Sequence, residues 1–215
     1  MTTDHELPRQ NNYATAAALA RERLSALDFS RQCRRAGLEP RGDSAELVFI
    51  DRRYLIARDD LALTPADSGP PPEPWEEIIA LHYLAHATGA PTRGELITYR
   101  QVPDGAPYWE PFNRRTAGIL LGAFAGRLRA LAPAAAALGG REVAEPGDFA
   151  FAIPALPRVE YVFACWEGDD EFPAEVKVLF DDSIIDYLPA EDITVLCQMV
   201  CLKLVRGLAD AKGNS

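Results

Sequence analysis

Apolar residues recur every three or four positions in four stretches of this 215-residue chain, which is the spacing of a helix that packs by one face. The pattern predicts helices over residues 11–35, as one helix or two, and over residues 75–88, 112–131 and about 190–207. A further turn or two is predicted over residues 134–138. Acidic residues favour the amino end of a helix and glycine its carboxyl end, so Glu76 and Gly89 make the second helix the best defined.

Shorter runs rich in β-branched and aromatic residues predict strands. Residues 45–50 and 54–57 flank a polar turn and predict one hairpin, residues 159–166 and 176–180 flank an acidic loop and predict another, and residues 95–102 predict a further strand. Helices and strands do not alternate as regular βαβ units, so the fold class is α+β, an antiparallel sheet with hairpins packed against several helices. We expect a single domain over residues 11–208 with flexible ends, 1–10 and 209–215.

The charge balance narrows the range of partners. Thirty-two acidic residues against 22 basic ones give a net charge of −10, which repels a nucleic-acid backbone. No apolar run approaches the roughly 20 residues that span a bilayer, and residues 1–10 lack the basic-then-apolar order of a signal peptide. We therefore expect a cytoplasmic protein that binds neither nucleic acid nor membrane.

The four cysteines are too few and too scattered for the disulfide framework of a small secreted protein. Cys197 and Cys201 lie four apart on a predicted helix and so share a face, as two metal ligands could. Zinc and iron–sulfur sites usually recruit closer pairs, and a free cysteine behaves as a small buried apolar residue, so we favour core packing for this pair. No iron–sulfur cluster is expected in this chain, and no cofactor is strongly indicated.

Two histidines on the best-defined helix are candidate metal ligands. His82 and His86 lie four residues apart, which places both imidazoles on one face. The familiar zinc hydrolase motif has a glutamate directly after the first histidine, where this chain has Tyr83. We favour a structural role for the pair, with His82 hydrogen-bonded beside the core and His86 near the surface.

The loop between the last two predicted strands carries candidate cation ligands, Asp169, Asp170 and Glu171. Calcium and magnesium prefer such oxygen ligands, but the spacing matches no calcium loop. Asp181 at the end of the next strand could serve as a general base. The alternative is that Gly168 supports a tight turn and the carboxylates are solvated, or bound to backbone amides and arginines.

Aromatic and basic side chains meet at the start of the third predicted helix, at Tyr108, Trp109, Arg114 and Arg115. A guanidinium at the amino end of a helix suits an anionic ligand, although ion pairs with the acidic loop would explain the arginines as well. Trp166 is a further ligand-binding candidate, for which packing at the rim of the core is the alternative interpretation.

Several motifs, ordered along the chain, resemble those of one family. They are Leu81-His-Tyr-Leu84, Ala155-Leu-Pro-Arg-Val159, Trp166-Glu-Gly-Asp-Asp-Glu-Phe-Pro173, Leu179-Phe-Asp181 and Tyr187-Leu-Pro-Ala-Glu-Asp192. Over roughly residues 11–208 the chain resembles the bacterial and archaeal family of the domain of unknown function DUF3786. The resemblance implies an origin in anaerobic microbes, where related domains are sometimes joined to a small iron–sulfur domain like that of corrinoid proteins in one-carbon metabolism. This chain differs from those joined forms because it lacks a closely spaced cysteine cluster.

Three hypotheses follow for function. The favoured one is a non-catalytic binding or accessory protein that serves a corrinoid, iron–sulfur or other anaerobic metabolic enzyme. The second is a metal-dependent enzyme in which His82 and the acidic loop bind a cation and Asp181 is the base. The third is an interaction module whose acidic loop docks on a basic partner. In each case we expect residues 168–192 to pack on the sheet, with the following side chains buried: Phe172, Leu179, Phe180 and Leu188.

Overall fold

Two antiparallel sheets and the helices packed against them form the described part of this computed structural model, residues 13–124 and 126–213. The helices are α1 (Tyr13–Ser25), α2 (Phe29–Arg35), α3 (Pro74–His86), α4 (Trp109–Arg115), α5 (Ala117–Phe124), α6 (Leu131–Ala137) and α7 (Ala190–Gly213). The strands are β1 (Pro40–Arg41), β2 (Ser44–Phe49), β3 (Arg52–Ala57), β4 (Leu63–Pro65), β5 (Leu96–Thr98), β6 (Arg141–Val143), β7 (Phe149–Leu156), β8 (Val159–Trp166) and β9 (Glu175–Asp181). The α+β class predicted from the sequence is confirmed.

The first sheet is built on the predicted hairpin of β2 and β3, with β1 and β4 added at its edges. Alternate residues of β2 are buried, as expected for a strand that packs by one face. The backbone N–H of Ile50 donates a hydrogen bond of 2.8 Å to the carbonyl of Ala155 in β7, which ties this sheet to the second one.

The second sheet has the order β5-β9-β8-β7-β6 and contains the other predicted hairpin, β8 and β9. Strands β6 and β7 were not predicted. Every residue of β7 except Pro154 is buried, because helices cover its inner face and its outer face carries small residues packed against β8. Pro154 lies beyond the three residues of β7 that pair with β6. No β6 carbonyl on that side therefore needs the backbone N–H that proline lacks.

Helix α7 covers the inner face of the second sheet. Its residues from Asp192 to Cys201 are all buried, and the hydroxyl of Tyr161 in β8 donates a 2.8 Å hydrogen bond to the carbonyl of Ile193. Cys197 and Cys201 lie in this core, and burial raises the pKa of the Cys197 thiol well above its usual value. The helix starts where the sequence predicted and continues to Gly213, past the predicted end near residue 207 and into the segment predicted to be flexible.

Two predicted elements are broken into shorter ones. The expected strand over 95–102 is extended only from Leu96 to Thr98, and a 3₁₀ turn, Tyr99–Gln101, follows because the Gln101 side chain accepts a hydrogen bond from the Thr98 N–H at 2.9 Å. The expected helix over 112–131 ends at Thr116, which separates α4 from α5. The buried hydroxyl of Thr116 donates a hydrogen bond to the carbonyl of Phe112 at 2.8 Å.

The stretch after α5 is also divided. A 3₁₀ turn, Leu128–Ala130, precedes α6, where Pro133 is tolerated in the first helical turn. The predicted helix over 11–35 is two helices, and Asp28 caps the second by accepting from the Arg31 N–H at 2.6 Å. The segment predicted to be a flexible start, 1–10, lies outside the described residues.

The prediction that residues 168–192 pack on the second sheet holds only in part, because residues 168–173 are all exposed. Phe180 and Leu188 are buried and Leu179 is half-buried, but the Phe172 side chain is 68% exposed. The prediction that the Phe172 side chain is buried is therefore wrong. The loop is closed instead by its own backbone, since the Asp169 N–H donates to the Phe172 carbonyl at 2.9 Å.

No single helix in the described ranges is long and apolar enough to cross a membrane. One pair of segments, Ala106–Phe124 with Leu128–Ala137, reaches that length and composition only when taken together across a bend of 105°.

Candidate functional site

A cavity of about 470 Å³ lies between the segment that follows β5 and the first turns of α7. The 3₁₀ turn Ala106–Tyr108 and helix α4 form one side, and the exposed amino end of α7 forms the other. The lining residues are Tyr99, Asp104, Tyr108, Pro111, Phe112, Arg115, Ala190, Glu191, Thr194 and Val195. Small-molecule sites in proteins commonly have volumes of about 300–1,000 Å³, so this cavity has the size of a ligand site.

An aromatic stack gives the cavity a rigid apolar wall. The rings of Tyr99 and Phe112 are parallel, with centroids 4.2 Å apart, and Trp109 packs against Phe112 from outside the cavity at 5.9 Å. The Arg100 guanidinium covers Trp109 at 4.8 Å from the ring centroid. Tyr108 extends the wall towards solvent with 62% of its surface exposed. A planar apolar group could pack along this wall.

The turn at residues 103–105 sets the mouth of the cavity. Asp104 has a φ of 60°, in the left-handed region that aspartate tolerates better than most residues. Gly105 is required next because a Cβ there would overlap the carbonyl oxygen of Tyr99. The Tyr99 hydroxyl donates a 3.1 Å hydrogen bond to the carbonyl of Ala190, which holds this segment against the first turn of α7.

The charged side chains of the cavity are of both signs. Asp104 and Glu191 supply two carboxylates, and Arg115 supplies one guanidinium. Arg115 is half-buried, whereas its neighbour Arg114 is exposed and does not line the cavity. Among the described ion pairs, the acidic loop is joined to Arg129, whose Nε lies 3.4 Å from Glu167, and to neither of these arginines. The proposed pairing of Arg114 and Arg115 with that loop is not observed.

A second polar contact is made by the same turn of α7. The His82 Nδ1 lies 2.6 Å from the Asp192 carboxylate, and this hydrogen bond joins α3 to α7. Asp192 is nearly buried, with 9% of its side chain exposed, and His82 is 25% exposed. The hydrogen bond to Asp192 raises the pKa of the His82 imidazole above its usual value, against the opposing effect of desolvation. The interaction is therefore charge-assisted when the imidazole is protonated.

His86 is occupied by other partners. Its Nδ1 lies 2.9 Å from the His82 carbonyl, to which it can only donate, and its Nε2 lies 3.1 Å from an Arg23 guanidinium nitrogen, from which it can only accept. Those roles describe a neutral imidazole with its proton on Nδ1. The two rings meet edge to face at 6.0 Å, so the pair does not present two free nitrogens to one point.

The acidic loop uses its first carboxylate to close a turn. Asp169 Oδ1 accepts from the backbone N–H groups of Phe172 at 2.7 Å and Glu171 at 2.8 Å, and these bonds lower the pKa of the Asp169 carboxyl. Asp170 and Glu171 are exposed. Trp166, at the start of the loop, is half-buried on the outer face of the sheet, with Lys177 Nζ 4.6 Å from its ring centroid.

Asp181 also binds backbone amides. Its Oδ1 accepts from the N–H groups of Arg93 and Ser183, both at 2.9 Å, and its Oδ2 accepts from Gly94 at 2.7 Å. Desolvation alone would raise the pKa of this carboxyl, but the hydrogen bonds from Ser183, Arg93 and Gly94 together hold it below its usual value. A carboxylate stabilised in this way is a weak proton acceptor, which disfavours the role of general base.

The candidate metal ligands do not converge. Within residues 13–124 and 126–213, no group of three or more histidine, cysteine, aspartate or glutamate side chains is arranged to hold a metal ion. His82 is bound to Asp192, while the acidic loop closes on itself and pairs with Arg129. The geometry therefore lends no support to the hypothesis of a shared cation site.

The structure thus brings Tyr108 and Arg115 together in the cavity and places Trp109 behind its wall. Sequence reasoning did not identify Tyr99, Asp104 or Glu191 as site residues. Tyr99 lies inside the stretch predicted as a strand, residues 95–102. The Pro-Asp-Gly sequence before Tyr108 was the available signal, because such a turn redirects the chain beside the aromatic and basic residues.

Comparison with known proteins gives one match. No curated protein and no solved structure matches the chain. The family model described as "Domain of unknown function (DUF3786)" matches residues 28–203, which include α2 to α6, both sheets and the cavity-lining part of α7. The predicted resemblance is confirmed, and the chain belongs to the DUF3786 family.

Proposed function

We propose that this chain is a cytoplasmic, non-catalytic binding protein whose ligand is a small zwitterionic organic molecule. The observation that carries the proposal is the cavity beside the amino end of α7, in which an aromatic wall faces charged groups of both signs. Its volume of about 470 Å³ suits a small metabolite.

The charges select the class of ligand. Asp104 and Glu191 favour a cationic group such as an ammonium, and Arg115 favours a carboxylate or phosphate. A ligand with both groups places its anion beside the guanidinium and its cation beside the two carboxylates, whereas a simple anion meets two carboxylates and one guanidinium. The stacked rings of Tyr99 and Phe112 then pack against the apolar body of the ligand.

Three probes that share a phenyl ring test this selection. Phenylalanine carries both charges, phenethylamine carries only the ammonium, and phenylacetate carries only the carboxylate. Nuclear magnetic resonance titrations should show saturable shifts of the cavity residues with phenylalanine at millimolar concentration, weaker binding of phenethylamine and the weakest binding of phenylacetate.

Adjacent arginines supply a matched pair of variants. Arg115→Gln should weaken phenylalanine binding about tenfold, a change of about 1.4 kcal/mol, because it removes a charged hydrogen-bond donor from the cavity. Arg114→Gln should bind the probe like the parent protein because its side chain lies outside the cavity. Neither arginine pairs with the acidic loop among the described contacts, so both variants should keep the parent melting temperature within about 2 °C.

Two results would contradict the proposal. One is the absence of saturable shifts in the cavity with any of the three probes. The other is an equal loss of binding in both arginine variants, since that outcome would place the probe on the general positive charge of α4 rather than in the cavity.

We also propose an anaerobic metabolic context for this binding protein, which rests on the family resemblance alone. In that context the chain serves as an accessory protein to a corrinoid or iron–sulfur enzyme. Affinity purification of the tagged protein from an anaerobic source, followed by mass spectrometry, should recover such an enzyme with the parent chain. Recovery of the same proteins with an unrelated acidic control would remove this part of the proposal.

A further inference from the structure

A second cavity, of about 380 Å³, is lined by the first turn of α3, the later turns of α7 and the start of β3. Its lining residues are Arg52, Glu73, Trp75, Glu76, Met199, Leu202, Lys203 and Arg206. None of these residues lines the first cavity.

A buried carboxylate forms part of its wall. Glu76 is 2% exposed, and its Oε2 accepts three hydrogen bonds: from the Tyr54 hydroxyl at 2.8 Å, the Arg52 Nη1 at 3.0 Å and the Glu73 N–H at 2.9 Å. The guanidinium of Arg52 also lies over the Tyr54 ring at 4.8 Å. The charge of Glu76 is thus balanced within the protein, so it does not repel an anion in the cavity as a free carboxylate would.

The later turns of α7 add two cations to the same cavity. Lys203 and Arg206 lie three residues apart and so project from one face of the helix. Lys203 Nζ is held 2.7 Å from Asp51 Oδ1, and Asp51 is not a lining residue. Two of the three cationic side chains that line this cavity are already paired, Arg52 with Glu76 and Lys203 with Asp51. Arg206 has no ion-pair partner among the described residues, and the Lys203 ammonium has further donors for a ligand.

The remaining wall is apolar. Trp75 is half-buried at the start of α3, and Met199 and Leu202 complete the surface beside it. An indole that is neither fully covered nor fully exposed offers a face on which a planar group can stack. A ligand that uses both walls carries an anionic group and an aromatic body.

We propose that this cavity is a second ligand site, which binds small aromatic anions through Lys203 and Arg206 and stacks them on Trp75. The anionic group is a phosphate or a carboxylate, because both match the guanidinium fork and the ammonium donors. The proposal does not depend on the function proposed for the first cavity, since the two sites share no lining residue.

The test uses phenyl phosphate and benzoate as probes, with inorganic phosphate and phenol as controls that each lack one half of the ligand. Tryptophan fluorescence should change saturably with at least one of the two aromatic anions at millimolar concentration, and Trp75→Phe should abolish that change. Inorganic phosphate and phenol should each bind more weakly than the aromatic anions, because each meets only one of the two walls.

Charge variants locate the site. Arg206→Gln and the double variant Lys203→Gln/Arg206→Gln should weaken phenyl phosphate binding progressively, by about tenfold for the double change, which is about 1.4 kcal/mol. Arg206 is exposed, so the single variant should fold like the parent protein. Arg141→Gln is the matched control, because Arg141 is also exposed but lies on β6 with Glu160 at 3.0 Å.

Three outcomes would overturn the inference: no saturable fluorescence change with either aromatic anion, parent-like binding in the double variant, or equal binding of inorganic phosphate and phenyl phosphate. The Arg115→Gln variant of the first cavity should bind phenyl phosphate normally. Failure at one cavity is therefore distinguishable from failure at the other.

Discussion

Removing the carboxylate of Asp192 should destabilise the protein in a way that depends on pH. In Asp192→Asn the shape of the side chain is kept, but the charged partner of His82 is lost. A hydrogen bond to a charged group contributes about 1.5–3 kcal/mol, and the 25% exposure of His82 places this one near the lower end. The carboxylate also lies in the first turn of α7, where interaction with the helix dipole adds about 0.3–1 kcal/mol.

The two contributions respond differently to pH. The pKa of His82 is raised in the folded state, so its ion pair stabilises the fold fully below the unfolded pKa of about 6.5 and is lost as pH rises through the folded pKa. The dipole contribution does not change over this range. We therefore expect a loss of about 2 kcal/mol in the free energy of unfolding below about pH 6, which falls to about 1 kcal/mol or less near pH 9.

Urea denaturation of the parent protein and of Asp192→Asn, at several pH values between these limits, measures the difference directly. Titration of the His82 ring by nuclear magnetic resonance should show a pKa above about 6.5 in the parent protein and a lower one in the variant. Glu191→Gln is the matched control, because it removes a carboxylate from the same helical turn but not the hydrogen bond. Its destabilisation should be smaller and should vary less with pH, because Glu191 raises the pKa of His82 only through a weaker charge interaction.

The reasoning fails if the loss in Asp192→Asn is the same across the pH range or grows as pH rises. It also fails if the pKa of His82 is unchanged by the substitution. Either result would mean that Asp192 stabilises the fold without pairing with the imidazolium.

Three further predictions concern stability. Tyr54→Phe removes one of three donors to the buried Glu76 carboxylate and should lower the free energy of unfolding by about 1–3 kcal/mol in urea denaturation, and a loss below about 0.5 kcal/mol would contradict the hydrogen bond. Phe180→Ala, in the core, should lower the free energy of unfolding by about 3–5 kcal/mol, whereas Phe172→Ala, in the exposed loop, should change it by less than about 0.5 kcal/mol. Similar losses in the two variants would contradict the exposed position of Phe172. Gly105→Ala should lower the free energy of unfolding by about 1–3 kcal/mol, because the added Cβ overlaps a backbone carbonyl, and nuclear magnetic resonance should show weaker phenylalanine binding. An unchanged melting temperature would argue against the tight turn.

Local sequence was sufficient where hydrophobic periodicity and end signals coincide. Helix α3 begins at Pro74, one residue before the predicted start, and α7 begins at the predicted Ala190. Prolines and acidic residues mark the amino end of each of these two helices. The two hairpins were also predictable from local sequence, because each has short apolar runs on either side of a polar turn. Membership of the family could also be inferred from the sequence, because the order of its motifs along the chain is visible without knowing which residues they contact.

Tertiary contacts decided the elements whose local pattern is ambiguous. The alternating Phe-Ala segment of β7 is buried on both faces, and such a run cannot be assigned from periodicity alone. The turn at Tyr99 combines the local hydrogen bond between Thr98 and Gln101 with two distant contacts. The Tyr99 ring stacks on Phe112 and its hydroxyl reaches α7, with partners 13 and 91 residues away. Propensity favoured continuing the strand there, and these contacts together overrode it.

The candidate sites were the least predictable part. Arg114 and Arg115 are adjacent and chemically identical, and only the orientation of α4 places one in the cavity and the other in solvent. Asp169 and Asp181 look like cation ligands in the sequence, but in the fold both carboxylates accept hydrogen bonds from backbone amides. Among the described residues, no further carboxylates join either of them to complete a cation site. The sequence determined which chemical groups the protein has, and the tertiary structure decided which of them meet, because such proximity depends on packing between segments far apart in the chain.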